Sequence, residues 1–167
     1  MVAWSHGATL ATRYALDHPG QVRGLVLIDG AYPIAMFDKA GEENVRRQFR
    51  RLGWLMRITA LFGLSAKLSS DECAQVVLEM DAVNGELDFA ALSCPANFVV
   101  ASGAHSGAPE EDNNVMRGAV AKAAAANERV TVFATSSFNH VQVLAKDPGV
   151  VVGAIEDMIQ RSAATGS

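Results

Sequence analysis

Cysteine is scarce in this chain: Cys73 and Cys94 are the only two, they lie in unlike contexts, and they have no C-x-x-C spacing. They build neither a disulfide framework nor a metal site, and both read as buried thiols. A run of eighteen apolar residues is lacking, so no segment is expected to span a membrane as a helix. A basic-then-apolar leader ahead of Ser5 is lacking too, which leads to the expectation of a cytoplasmic protein. Positive charge is not in excess, since 14 Lys and Arg against 18 Asp and Glu leave a net charge of −4. A nucleic-acid partner is therefore not indicated. Neither internal repeats nor linkers divide the chain, and with half of its residues apolar it is read as one domain over 1–167.

What the sequence does contain is concentrated at its start. Met1-Val2-Ala3-Trp4-Ser5-His6-Gly7-Ala8 reads as a strand end, a tight turn and a helix start, with Ser5 at the tip. A serine hydroxyl is a poor nucleophile at neutral pH. A strained strand-to-helix turn exposes its Oγ and turns the next backbone N–H toward a developing oxyanion. Ala3 and Gly7, two residues to either side, let the strand and helix backbones approach closely. Ala8, Leu10, Ala11, Tyr14 and Ala15 then form a largely apolar helix stopped by His18-Pro19-Gly20. Val22 to Ile28, nearly all apolar from Gly24, reads as a strand buried on both faces, as in a parallel sheet covered by helices. Asp29-Gly30 ends it, and strand, helix and strand make a right-handed crossover.

This stretch, Ser5 to Pro33, resembles the nucleophile elbow of the α/β-hydrolase family with its helix and following strand; Ala3 stands where the first glycine is commoner. The expected fold is α/β: a parallel sheet covered by helices, a partial α/β-hydrolase fold with a helical cap insert. The insert is read over 34–86. Val45, Phe49, Leu52 and Met56 recur at helical spacing among Arg46, Arg47, Arg50, Arg51 and Arg57, and a second helix starts at the capping sequence Ser69-Ser70-Asp71-Glu72. The resemblance implies that this insert caps the site and that Trp54, Leu55, Phe62 and Leu64 line an acyl pocket. A basic amphipathic helix on a membrane surface is the alternative.

The chain continues with a strand over Asn97 to Ala101, a loop through Gly103 and Gly107, an alanine-rich helix from about Asp112 to Asn127, and a last strand from Arg129 to Ala134. A loop then presents His140, and a helix from Pro148 to Arg161 closes the chain. Of the four histidines, His140 follows the last strand, where chemistry gathers at the carboxyl ends of parallel strands. His6 lies beside Ser5, His18 ends a helix, and His105 sits in a loop. The resemblance implies that Ser5 is the nucleophile, His140 the general base, and the N–H of His6 an oxyanion donor, with Trp4 beside the substrate.

A triad also needs a carboxylate to orient the imidazole. In the register where the family commonly carries it, this sequence reads Gly103-Ala104-His105-Ser106. Two replacements exist: Asp29 at the end of the second strand, where some members such as haloalkane dehalogenases carry their acid, or one of Glu110, Glu111 and Asp112; Asp29, directly at a strand end beside the Ser5 strand, is the better placed and is taken as the acid. The trio also reads as a solvated helix start favoured by the macrodipole.

The implied activity is hydrolysis of an ester-like or other small hydrophobic substrate through an acyl-enzyme, without cofactor or metal. The alternative is a non-catalytic remnant or small-molecule-binding module of the same fold. In the family the elbow follows the fifth of eight strands, and an earlier loop supplies a second oxyanion N–H. The resemblance therefore covers the carboxyl-terminal part of that fold. A truncated domain with an exposed sheet edge is expected, through which a homo-oligomer could form.

Overall fold

The computed structural model describes residues 1–61, 68–103 and 110–164. Along the chain run β1 (Val2–Trp4), α1 (His6–Asp17), β2 (Leu25–Ile28), α2 (Lys39–Leu61), α3 (Ser70–Gly85), a 3-10 turn (Phe89–Ala91), β3 (Ala96–Ala101), α4 (Glu110–Ala126), β4 (Val130–Ser136), α5 (Val143–Lys146) and α6 (Pro148–Ala164). Two compact units result, one of Met1–Ile34 with Glu86–Ser167 and one of Ala35–Gly85.

The first unit holds a parallel four-stranded sheet in the order β1-β2-β3-β4. All four residues of β2 and all six of β3 are buried, as a central parallel strand covered on both faces requires. Val26 and Ile28 join Val99, Val143, Ala154 and Met158 in one cluster, so α5 and α6 cover that face. Side chains alternate across a strand, and Phe98 accordingly points the other way, its ring 5.2 Å from that of Phe89. α1 packs on β1 and β2 through small residues, Ala8, Thr9, Ala11, Thr12 and Ala15. β1 forms one edge of the sheet; Val2 on it and Leu10 and Tyr14 on α1 are exposed.

The elements correspond to the expected order, with shifted ends. The second strand begins at Leu25 rather than Val22, because the chain first turns through Gly20 at a φ of 86° and Gln21 N–H closes back on His18 O. Gly24 passes so close to Met158 and Ser162 that a side chain there would collide with both. α5 and the 3-10 turn carry no periodicity of their own in the sequence. Cys94 is buried as expected, whereas Cys73 is only partly so. Among the described residues no helix is long and apolar enough to cross a membrane.

The second unit pairs α2 with α3. Asp81 of α3, itself buried, accepts the backbone N–H groups of Met36 and Phe37. The start of α3 is a reciprocal cap: Ser69 Oγ accepts from Glu72 N–H at 3.2 Å, and the Glu72 carboxylate accepts from Ser69 N–H at 2.7 Å. The Ser69 backbone bond, then its hydroxyl, hold the Glu72 carboxyl below its ordinary value. A depressed folded value stabilises above the unfolded value and is lost as pH falls through the folded one. Glu72→Gln is therefore expected to unfold at a slightly lower temperature than the parent at neutral pH, the gap closing in acid. A gap that stayed constant from pH 7 to pH 3 would contradict this.

Candidate active site

Ser5 sits between β1 and α1 with φ 55° and ψ −130°, a conformation an L residue adopts only under strain. Backbone bonds over-determine it: Ser5 N–H donates to Ile28 O at 3.0 Å, and Ser5 O accepts from Ala8 N–H at 3.0 Å. Two more non-glycine residues with positive φ follow the end of β2, Asp29 at 44° and Ala31 at 57°. Between them Gly30 presses against the elbow. A Cβ there would stand 2.9 Å from the Ser5 carbonyl carbon and closer still to its oxygen. Gly30→Ala is expected to push the elbow aside, costing on the order of 100-fold in Ser5 reactivity, the loss typical of a misplacement of about 1 Å. Labelling of Ser5 by a phosphonate at the parent rate would refute this.

His140 arrives from the loop after β4. Two bonds tie the end of β4 and that loop to the residues after β3: Ser102 N–H donates to Ser136 O at 2.7 Å and Gly103 N–H to Phe138 O at 3.1 Å. Gly103 lies so close that a Cβ would meet Asn139 N at 2.8 Å. Asn139 holds the next turn, its Oδ1 accepting from the N–H groups of Val141 and Gln142. Trp4 supports the imidazole from β1, donating its indole N–H to His140 O at 3.1 Å and stacking on the ring at 5.0 Å between centroids.

These three strand ends bring Ser5, Asp29 and His140 into one chain of hydrogen bonds. His140 Nδ1 lies 2.7 Å from Asp29 Oδ2 and Nε2 lies 2.9 Å from Ser5 Oγ. The carboxylate only accepts, so Nδ1 carries the proton and donates it, which leaves the Nε2 lone pair for the serine hydroxyl. Asp29 is almost wholly buried and His140 nearly so. A buried carboxylate needs donors; besides His140, Ala101 N–H reaches Oδ1 at 2.9 Å and the Tyr32 hydroxyl donates to the same oxygen.

The alternative acids sit elsewhere. Glu110, Glu111 and Asp112 form the first turn of α4, and Glu110 pairs with Arg117 at 2.5 Å. His6 opens α1, its ring Nδ1 buried with no partner among the described residues. Trp54 and Leu55 are exposed on α2; Phe62, Leu64, His105 and Gly107 lie outside the described residues. His18 stacks on Tyr14 at 4.3 Å. Two participants were not legible in the sequence. Tyr32 carried no motif, and its place three residues after Asp29 is the only cue; Trp4 is expected beside a substrate, and its contact with the His140 ring was not foreseen.

A serine at a strained strand-to-helix turn, on a parallel sheet whose strand ends gather a histidine and a carboxylate, defines a class, that of α/β proteins with a hydrolase-like site. Residues 1–78 match the family model described as alpha/beta hydrolase fold. No curated protein matches the chain. Among solved structures, a thermophilic esterase from Thermogutta terrifontis superposes with a TM-score of 0.63 at 19% identity, over 96% of this chain and 64% of that one. A structure from work on carboxylesterases of the ammonia-oxidizing thaumarchaeon Nitrososphaera gargenis gives 0.61 at 15% identity, over 95% and 65%. An N-formylmaleamic acid deformylase from Pseudomonas putida gives 0.54 at 17% identity, over 92% and 64%. The chain has the α/β-hydrolase fold in partial form. It spans just under two thirds of the length of these structures.

Proposed function

We propose that the chain carries the serine-nucleophile machinery of a hydrolase acting on small ester-like substrates through an acyl-enzyme. The observation that carries this reading is the continuous hydrogen-bonded chain from Asp29 Oδ2 through His140 to Ser5 Oγ, with separations of 2.7 and 2.9 Å. The esterases among the structural neighbours favour an ester over other acyl compounds.

In the proposed reaction Ser5 Oγ attacks the acyl carbonyl carbon as its proton passes to His140 Nε2. The Asp29 carboxylate, held by two donors besides the imidazole, stays anionic and stabilises the imidazolium. Charge grows on the substrate oxygen, and the N–H of His6 at the start of α1 offers it one donor, aided by the positive end of the helix. Nε2 then returns its proton to the leaving oxygen, and the acyl group stays on Ser5. Water, deprotonated by the same nitrogen, releases the acid and restores the serine.

The test is an alkyl fluorophosphonate. Its phosphorus bonds to an activated serine oxygen as fluoride leaves, and peptide mass spectrometry locates the adduct. One adduct per chain on the peptide containing Ser5 is the expected result. Folded protein that stays unlabelled would overturn the reading in favour of a binding module.

A further inference from the structure

Nothing in the proposed chemistry calls for Tyr32, yet its side chain is buried and hydrogen-bonded to Asp29. It lies on the loop leaving β2, is buried, and donates its hydroxyl to Asp29 Oδ1, the carboxylate oxygen that His140 does not use. Ala101 N–H reaches the same oxygen from the end of β3 at 2.9 Å. The two oxygens of Asp29 thus serve different partners: Oδ1 takes donors from the loop after β2 and from β3, and Oδ2 meets the imidazole.

We propose that Tyr32 is a positioning residue, whose hydroxyl together with Ala101 N–H clamps Oδ1 so that Oδ2 is aimed at His140 Nδ1. This inference rests on the reading of Asp29 as the acid of the site. A carboxylate turns about its Cβ–Cγ bond with a broad, soft torsional preference, so one bond to Oδ2 would leave the plane of the group free to rock. Two donors converging on Oδ1 remove that freedom and favour the ionised form. Backbone supplies the rest: the positive φ of Asp29 and Ala31 curls the loop so that residue 32 returns over residue 29.

The phenol is suited to the role because it stays a donor. Burial first, and then the charge of Asp29, push its ionisation far above the ordinary range, with Arg117 opposing weakly. The groups facing this pair include the His140 imidazole from the loop after β4 and the Arg117 guanidinium from α4. Arg117 is itself engaged by Glu110, Asn114 and, more distantly, Ser102 O.

Tyr32→Phe keeps the ring and removes the donor. The expected result is a loss of about 10- to 100-fold in kcat on an activated ester, the worth of one hydrogen bond to a charged group, with KM unchanged. The low-field proton resonance of His140 Nδ1–H should shift or broaden at the same time. In an Asp29→Asn background the same substitution should have no further effect on kcat, whereas a role in packing alone would add its loss again. 3-Fluorotyrosine at position 32, which keeps shape and donor, should retain turnover and the resonance; it carries the test if Tyr32→Phe does not fold.

A parent protein that is neither labelled by the fluorophosphonate nor active would count against the proposed function, and the resonance would still judge the clamp. An unchanged resonance in Tyr32→Phe, or parent-like kcat in a labelled and active protein, would overturn the inference alone.

Discussion

Ser5→Ala is expected to abolish fluorophosphonate labelling and to lower ester turnover on the order of 10⁶-fold, the loss seen when a serine nucleophile is removed from an intact site. The effect is this large because in the proposed reaction Oγ is the atom that bonds to the acyl carbon; without it the imidazole and the proposed oxyanion donor would have nothing to activate. Stability should hardly change. Alanine meets the same strain at φ 55° as serine does, and the bonds that fix the elbow are backbone bonds to Ile28 and Ala8. Thermal unfolding and turnover measured on the same preparation separate the two effects. Turnover within tenfold of the parent would remove Ser5 from the mechanism.

Asp29→Asn should cost on the order of 10⁴-fold in turnover, while Asp112→Asn leaves it within about twofold. The asparagine can offer N–H instead of oxygen to His140 Nδ1, which reverses the tautomer and puts the proton on Nε2, where the serine hydroxyl needs a lone pair. It also withdraws the negative charge that stabilises the imidazolium. Asp112 lies in the first turn of α4 beside Glu110 and Glu111, so its charge serves a helix start. Circular dichroism of both variants guards against a folding defect. Equal losses in the two would sink the assignment of Asp29, and no loss in either would point to a serine-histidine pair working without an acid.

Much of the architecture is written locally. The apolar run ending in Leu25–Ile28 announces a strand buried on both faces, and the small residues of α1 announce a helix that packs closely on a sheet. The capping pair Ser69 and Glu72 marks where α3 begins. These signals are legible because each rests on residues within a turn or two of one another. Ends were less so: Val22 reads as strand by composition, but the Gly20 turn and the passage of Gly24 beside α6 decide that the ladder starts at Leu25.

By itself the sequence determined a parallel α/β sheet, its helices, and a serine and a histidine set at strand ends. Only the tertiary structure decided which carboxylate meets His140. The sequence favoured Asp29, at a strand end, over three acidic residues near α4 but did not exclude them, because residues 29 and 140 are brought together by the register of β2, β3 and β4 rather than by anything near them in the chain. The same holds for Trp4 against the His140 ring and for Ala101 N–H on Oδ1 of Asp29. Each is a contact between side chains or backbone groups from separate strand ends, and the physical cause is the stacking of those ends along one edge of the parallel sheet.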